Sequence, residues 1–461
     1  MAAMGETRSR AGLARLSALV ATTLVGGLTV STAAAARPTG DVRGEDERRA
    51  AAATSVMVVG DSVSQASVGD YSWRYFASRH LTAVGAGVDF VGARTTPHVP
   101  AGQTWAARYS DDDFDRDHTA MWGDSFYYPN QDHWSPMVAA RPEVVVLALG
   151  TNDFGVWKRK AADVVASART WVTVARSVVH SAEFVLVEIP WVTHKRVKTY
   201  NASLQKVAAE LSTAESRVVV ARTSKGYVMG KDDDRPGDTY DDVHPNTRGQ
   251  VKIAAAVTDA LASLGIGVAY PRPLTFPAEG PRTAPVLRAA NGTARVRLGW
   301  RVPPGATSHD VWRRAPGRRW VRVARARAGT SYGARRLASC RRYEFRVRAR
   351  KGWTLAAPDM ASNVVSARVG PRVGARTTPT VRPGSRHVRL SWNRVAGACS
   401  YGVRISVVHR GEETVLKRGG VRPRLVVRDL PPGATVTVRV RAVGAVNSGR
   451  WSAPRAARVR R

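Results

Sequence analysis

The sequence predicts an α/β domain followed by two all-β sandwich domains, and three observations support this prediction. Between Ser55 and Val268, short apolar runs alternate with stretches of helical periodicity, as in a parallel sheet covered by helices on both faces. Beyond this region the helical periodicity ends, and β-rich runs recur in two matching halves. Residues 1–280 hold 30 basic and 30 acidic residues, so the net charge of +35 lies entirely in residues 281–461. Such an asymmetry indicates separate modules.

The N-terminus is typical of a secretory signal peptide over residues 1–36. Three arginines precede an apolar run over residues 16–30, which is short for a membrane span, and Ala34–Ala36 offers small residues for cleavage. An uncleaved membrane anchor is the weaker alternative. Residues 37–53 are charged and alanine-rich, which predicts a disordered spacer. We therefore expect a secreted chain, extracellular or associated with the cell wall, with no transmembrane segment after cleavage.

Residues 54–268 are predicted to form the α/β domain. Val164 to Val178 and Val251 to Leu264 carry apolar residues at helical spacing. The predicted strands are Val56–Val59, Val88–Val91, Val144–Leu149, Phe184–Ile189 and Val218–Val220.

Residues 269–282 form a proline-rich stretch that predicts a stiff linker. Two units of about ninety residues follow, 283–370 and 371–461, and this is the size of a small β-sandwich. The β-rich runs are Ala294–Trp300 and Tyr343–Arg350 in the first half, and His387–Trp392 and Thr435–Val443 in the second.

Four polar side chains of the first domain lie in motifs at predicted strand ends or helix starts. Ser62, in Gly-Asp-Ser after the first strand, is placed as a nucleophile. Asn152, in Gly-Thr-Asn-Asp after the Val144–Leu149 strand, can donate its amide N–H to a developing oxyanion. His244 can serve as general base, and Asp241, three residues earlier, can orient its imidazole.

These motifs, in this order, resemble those of the GDSL/SGNH hydrolase superfamily over roughly Ser55 to Val268. The resemblance implies a three-layer α/β/α, flavodoxin-like fold and a Ser62–His244–Asp241 catalytic triad. It also implies an oxyanion hole formed by the N–H groups of Ser62 and Gly123 and the amide of Asn152. Ala120 stands where a glycine is frequent in the family, so Gly92 remains an alternative to Gly123. No metal or organic cofactor is implied.

Other polar and aromatic residues of this domain have two interpretations each. The acidic clusters Asp111–Asp117 and Asp232–Asp234 could bind calcium, although acidic surface loops fit them better. His118 and His133 could be second bases, but surface or capping positions are favoured. Four tryptophans in predicted loops either contact a sugar or acyl group or pack the loops down: Trp105, Trp122, Trp134 and Trp191.

The two C-terminal halves resemble fibronectin type III modules. Trp300 and Trp392 occupy the position of the second-strand tryptophan, and Leu337 with Tyr343 resembles the tyrosine corner. In the second module Val436 replaces the corner tyrosine. The two cysteines, Cys340 and Cys399, lie in different modules. Two alternatives therefore stay open: two buried free thiols, or a disulfide bond across the junction between the modules.

The function that we predict is a secreted serine esterase acting on O-acyl esters, most readily acetyl groups on polysaccharide. A lipase or lysophospholipase acting on lipid esters is the alternative within this class. A second alternative is a non-catalytic cell-surface protein that binds polyanions. The tail's 41 basic residues include 39 arginines, which suit anionic cell-wall polymers or acidic polysaccharide rather than a specific nucleic acid.

Overall fold

The computed structural model describes residues 53–191, 194–230 and 237–461. The predicted signal peptide, the spacer up to residue 52 and the Asp232–Asp234 cluster lie outside these residues. Within the described part, no helix combines the length and the apolar character that crossing a membrane would require.

The first region is built on a parallel sheet, as predicted. Five strands lie in the order β2-β1-β4-β5-β6, and a two-residue strand, β3, pairs beside β1. Counting only the five longer strands, this is the flavodoxin-like order 2-1-3-4-5. The strands are β1 (Thr54–Gly60), β2 (Val88–Val91), β3 (Thr119–Ala120), β4 (Val144–Ala148), β5 (Glu183–Val187) and β6 (Val218–Ala221).

Helices cover both faces of this sheet and give the expected three layers. One face packs on side chains such as Trp73, Leu81 and Leu261, and the opposite face on Trp171 and Leu204. Alternate residues of each strand point to opposite faces, so both faces of the valine-rich strands are buried. The helices are α1 (Ser62–Gln65), α2 (Trp73–Ala83), α3 (Trp134–Ala140), α4 (Thr151–Gly155), α5 (Ala161–Val178), α6 (Lys195–Leu211) and α7 (Thr247–Ser263).

The proline-rich stretch that follows α7 is packed onto the α/β region. Tyr270, Leu274 and Phe276 contact the apolar cluster beneath α2 and α7. The guanidinium of Arg248 lies 4.4 Å from the centre of the Phe276 ring. These contacts keep the proline-rich stretch close to α7 before the chain enters the first β region.

The first β region has two antiparallel sheets, β11-β8-β7 and β10-β9-β12-β13, with β14 added beside β12. Trp300 is buried between the sheets, and the hydroxyl of Tyr343 accepts a hydrogen bond from the N–H of Ala338 at 3.1 Å, as in a tyrosine corner. The strands are β7 (Val286–Ala290), β8 (Val296–Arg301), β9 (Ser308–Arg314), β10 (Val321–Arg327), β11 (Ser331–Ala334), β12 (Tyr343–Lys351), β13 (Thr354–Leu355) and β14 (Val365–Ala367).

The second β region repeats the plan with sheets β15-β16-β19 and β18-β17-β20-β21. Val436 is buried in its core at the position of the missing tyrosine, and Tyr401 instead accepts a hydrogen bond from the N–H of Val395. The all-β prediction for residues beyond the linker is therefore confirmed. The strands are β15 (Thr380–Gly384), β16 (His387–Ser391), β17 (Ser400–His409), β18 (Glu412–Gly420), β19 (Arg424–Val427), β20 (Thr435–Val443) and β21 (Arg455–Arg458).

A disulfide bond between Cys340 and Cys399 joins the two sandwiches. Both cysteines lie in half-buried loops, one before β12 and the other before β17. Because they are bonded to each other, the alternative of two buried free thiols is wrong. Nearby, the Asn291 amide donates a hydrogen bond to the carbonyl of Ala445 across the same junction. The junction therefore has a covalent and a polar contact.

Thiol titration of the denatured, unreduced protein should find no free thiol, because the only two cysteines are bonded to each other. The mass should be that of a monomer. Two free thiols per chain, or a disulfide-linked dimer, would contradict the intramolecular bond.

Candidate active site

The nucleophile candidate, Ser62, lies where β1 ends and α1 begins. A side chain at Gly60 would bring a Cβ within 2.6 Å of the Ser64 hydroxyl oxygen, so only glycine allows the turn to be this tight. Asp61 caps α1 by accepting the N–H of Val63 at 2.9 Å. Ser62 is 3% exposed, at the carboxyl edge of the sheet, where ligands of such folds bind.

His244 and Asp241 meet Ser62 from the loop that precedes α7. His244 Nε2 lies 3.0 Å from Ser62 Oγ, and His244 Nδ1 lies 2.9 Å from Asp241 Oδ2. Asp241 also accepts the backbone N–H groups of Val243 and His244, at 2.9 and 2.7 Å, which fold the loop into a tight turn. The three predicted side chains thus form one continuous hydrogen-bonded series.

The electrostatics of this series keep Asp241 charged. Burial acts to raise the pKa of Asp241, but the hydrogen bond and charge of His244 and the two backbone N–H groups outweigh it and lower that pKa below its usual value. An ionised Asp241 accepts the Nδ1–H of His244, which leaves the Nε2 lone pair directed at the Ser62 hydroxyl.

Two aromatic rings flank the His244 imidazole. Trp122 stacks on it with ring centres 4.3 Å apart, and Tyr240 lies nearly parallel to it at 5.7 Å. Trp122 also stacks on His98 at 4.4 Å. The backbone N–H of Trp122 donates to the side-chain oxygen of Gln65 at 2.7 Å, so the residue that ends α1 also holds the backbone of Trp122. This stacking restricts rotation of the imidazole.

Asn152 lies in α4, directly after β4, which pairs with β1. One hydrogen of its amide nitrogen is donated to the carbonyl of Asp124 at 2.8 Å. An amide nitrogen carries two hydrogens, so this bond orients the group and leaves the second N–H for another acceptor.

Gly123 follows β3, the short strand that pairs with the end of β1. Its φ of +83° suits glycine, and Met121 of the same loop donates its N–H to the carbonyl of Gly60 at 2.9 Å. The rival, Gly92, packs against the backbone of His118, where an added Cβ would lie 2.2 Å from the carbonyl carbon. Close packing accounts for glycine at position 92 without a further role.

Comparisons with known proteins identify the family of the region that holds these residues. The family model described as GDSL-like Lipase/Acylhydrolase matches residues 56–257. Residues 56–257 are a GDSL-like lipase/acylhydrolase domain. The chain therefore carries a domain of carboxylic ester hydrolases. A search of curated protein sequences finds no match.

Solved structures similar to parts of the chain fall into two groups. A carbohydrate esterase family 3 protein from Talaromyces cellulolyticus shares 24% identity, covering 46% of this chain and 97% of its own, with a TM-score of 0.37. The Clostridium thermocellum family 3 carbohydrate esterase shares 21% identity over 46% of this chain and 96% of its own, at the same TM-score. A two-domain fibronectin type III segment of chicken tenascin shares 18% identity over 38% of this chain and 99% of its own, with a TM-score of 0.23.

Asp124 is a residue of the acylhydrolase domain that the sequence did not single out. Its carboxylate accepts the backbone N–H groups of Ser125 and Asn130 and contacts His133 Nε2 at 2.7 Å, while its carbonyl holds Asn152. The loop that carries Trp122 and Gly123 is thereby tied to the helix that carries Asn152. Asp124 lies in no motif, so no local signal could have indicated this role.

The predicted surface positions of two histidines are wrong. His133 does occupy the N-cap position of α3, but its side chain makes no capping hydrogen bond. His118 is fully buried, and burial lowers its pKa well below the usual value. His133 is 3% exposed and lies between the Asp124 carboxylate and the indole N–H of Trp171. Both histidines hold loops together inside the acylhydrolase domain.

The four loop tryptophans have different roles. Trp191 is buried in the core, and Trp134 begins α3 and packs on Trp171, so the loop prediction for Trp134 is wrong. Trp122 contacts His244, as described above. Trp105 is half-buried.

The carboxylates of Asp111, Asp112 and Asp115 accept hydrogen bonds from nearby residues, for instance from Tyr75 and Phe90, and no metal-binding cluster occurs among the described residues.

Asp61 is fully buried beside Ser62, and burial raises its pKa to about 7, although the N–H of Val63, the hydroxyl of Thr151 and the charge of His244 act to lower it. Because its ordinary value is 3.8, the folded state binds this proton more tightly than the unfolded state, and stability falls as the pH rises from about 4 to 7. At about 1.4 kcal/mol per pH unit, the loss of unfolding free energy reaches about 4 kcal/mol.

Asp61→Asn should remove this pH dependence, since asparagine keeps the cap of α1 and cannot ionise. Urea unfolding should show the variant to be more stable than the wild type at pH 8 and nearly equal to it at pH 4. A constant difference between the two proteins across this range would refute the assignment of the proton to Asp61.

Proposed function

We propose that the chain is a serine esterase in which Ser62, His244 and Asp241 form the catalytic triad. Ser62 Oγ attacks the carbonyl carbon of the ester while His244 Nε2 takes its proton. His244 then gives that proton to the leaving alcohol, and an acyl-enzyme remains. Water, deprotonated by His244, attacks the acyl-enzyme and releases the acid and Ser62. The observation that carries this proposal is the series Ser62 Oγ, His244 and Asp241, joined at 3.0 and 2.9 Å.

The oxyanion in this proposal is held by the N–H groups of Ser62 and Gly123 and by the side chain of Asn152. Among the described residues, neither the Ser62 N–H nor the Gly123 N–H donates a hydrogen bond, so both can serve a substrate. The bond from Asn152 to Asp124 fixes the amide before substrate arrives. Donors fixed in advance need no reorganisation during the reaction.

The acyl group that we propose is acetyl, carried on polysaccharide. Only 3% of Ser62 is accessible, and the rings of Trp122 and Tyr240 flank its base, which favours a small acyl group over a fatty acyl chain. The accessory sandwich domains and the expected secretion favour a polysaccharide as the carrier of that group. Lipid ester hydrolysis remains the second candidate within the ester-hydrolase class.

Ser62→Ala should abolish turnover of p-nitrophenyl acetate and of acetylated glycans, because the nucleophile is lost. His244→Ala should be similarly damaging, and Asn152→Ala should lower kcat by about 10²–10³-fold. Wild-type protein is screened in parallel on long-chain esters. Full activity of pure, folded Ser62→Ala protein would disprove the nucleophile assignment, and faster turnover of long-chain than short-chain esters would favour the lipase.

We also propose that the second sandwich binds acidic polysaccharide. On its outer face Arg404 lies directly opposite Lys417 on β18 and Arg439 on β20, and all three are exposed. None of them has an ion-pair partner within the described part of the chain. Like charges placed opposite each other on a sheet destabilise it, and a bound polyanion would relieve that repulsion.

Binding of an acidic polysaccharide such as a polyuronate should weaken steeply as salt is raised. A triple exchange of Arg404, Lys417 and Arg439 for glutamine should weaken it at least tenfold at low salt. The control exchanges three exposed arginines of the first sandwich, Arg288, Arg295 and Arg297, for glutamine, and so removes the same charge. Equal losses of affinity in both variants would show that net charge, rather than the cluster of Arg404, Lys417 and Arg439, determines binding.

Secretion is part of the same proposal. It is supported by the signal-like pattern of residues 1–36 and by the Cys340–Cys399 disulfide, because such bonds persist in oxidising compartments. Sequencing the N-terminus of protein recovered from culture medium tests it directly.

A further inference from the structure

One turn of the first sandwich inserts into the acylhydrolase domain. Lys351 ends β12, Gly352 and Trp353 connect it to β13, and Lys351 pairs with Thr354 across the hairpin. Lys351 is only 6% exposed, although it is one of just two lysines in the basic tail. A buried lysine requires a charged or hydrogen-bonded partner, and here those partners belong to the other domain.

The Lys351 ammonium group binds the segment that follows the nucleophile helix. Its Nζ lies 2.6 Å from Asp70 Oδ1, 2.9 Å from the Ser67 hydroxyl and 3.3 Å from the carbonyl of Val68. The other carboxylate oxygen of Asp70 accepts the N–H of Ser67 at 3.1 Å. One cation thus holds the loop that begins immediately after α1.

Trp353 of the turn binds the segment that leads into the His244 loop. The backbone N–H of Trp353 donates to the carbonyl of Tyr240 at 3.0 Å, and its indole N–H donates to the carbonyl of Thr239 at 2.9 Å. Lys351 Nζ also lies 4.8 Å from the centre of the Tyr240 ring, which is close enough for a cation–π interaction. Asp241 follows directly, and Tyr240 flanks the His244 imidazole.

The approach of the two backbones leaves no room for a side chain at Gly352. A Cβ added there would lie 1.6 Å from the carbonyl oxygen of Tyr240. A second close approach occurs at Gly305, where an added Cβ would lie 2.4 Å from the carbonyl oxygen of Val68. The sandwich therefore fits closely against both segments of the acylhydrolase domain that carry the site.

We propose that the turn Lys351–Gly352–Trp353 is a positioning element that holds the His244 loop in register with the Ser62 helix. It touches neither Ser62 nor His244, and acts through Ser67 and Asp70 on one side and Thr239 and Tyr240 on the other. The accessory sandwich is then part of the working enzyme. This inference rests on the proposed triad for its effect on activity, but the contacts themselves can be tested without it.

Gly352→Ala is the most direct test, and Gly317→Ala is its matched control. Both glycines have positive φ, +53° and +72°, and lie in turns of the same sandwich, but an added Cβ meets nothing within 4 Å at Gly317. Backbone strain is thus common to both variants, and only Gly352→Ala pushes against Tyr240. Trp353→Ala, with Trp451→Ala in the second sandwich as its control, removes the indole bond to Thr239 and keeps the backbone bond to Tyr240.

Gly352→Ala and Trp353→Ala should lower kcat on p-nitrophenyl acetate by about 10- to 100-fold, since a displacement of about 1 Å at reacting groups has effects of this size. KM should change little, and both controls should stay within about twofold of the wild type. The rate constant for labelling of Ser62 by a fluorophosphonate should fall in parallel with kcat, while the stoichiometry stays at one label per chain. Lower stoichiometry at an unchanged rate would instead indicate partial unfolding and overturn the proposal.

Hydrogen–deuterium exchange decides the inference independently of activity. The amides of residues 239–246 and 62–70 should exchange faster in Gly352→Ala than in the wild type or in Gly317→Ala. Equal exchange in all three proteins would overturn the positioning role even if the wild type is active. An inactive wild type with the expected exchange pattern would contradict the proposed function and leave the positioning contacts supported.

Discussion

The hydrogen bond between Ser62 Oγ and His244 Nε2 is the contact on which the site depends. It joins residues 182 positions apart in the sequence, at 3.0 Å. A contact of this range exists only if the parallel sheet is complete, because β1 delivers Ser62 and the chain reaches His244 after crossing β4, β5 and β6. The buried valines of these strands therefore support the chemistry, since they set the position of each strand end.

The local geometry of each half of this contact is determined over a few residues. Gly60 and Asp61 make the turn and the cap that place Ser62 at the edge of the sheet, while Asp241 orients His244 from three positions away. Such short-range geometry leaves a recognisable pattern in the sequence. The order Gly-Asp-Ser, Gly-x-Asn-Asp and Asp-x-x-His was for this reason sufficient to predict which side chains meet, and the alternation of apolar runs was sufficient to predict the fold class.

Other parts of the site could not be predicted, because they depend on partners distant in sequence. Asp124 and His133 lie in what reads as an ordinary polar loop, and only the fold buries them, with His133 between the Asp124 carboxylate and Trp171. Trp134 was expected in a loop because it stands among turn-forming residues, but it begins a helix that packs on α5. Lys351 appeared to be one basic residue among many, since nothing near it in the sequence indicates the carboxylate of Asp70.

The basic residues of the tail have different surroundings in the two sandwiches. In the first, some arginines pair with carboxylates of the same sheet: Asp310 is fully buried and bonded to Arg350, and Glu344 accepts from Arg314 at 2.7 Å. These pairs lie on the sheet that ends in the Lys351 turn, so they stiffen the part that contacts the acylhydrolase domain. In the second, the row of Arg404, Lys417 and Arg439 faces solvent. Burial makes the first set structural, whereas exposure makes the second set available to a partner, and the disulfide between the sandwiches fixes one relative to the other.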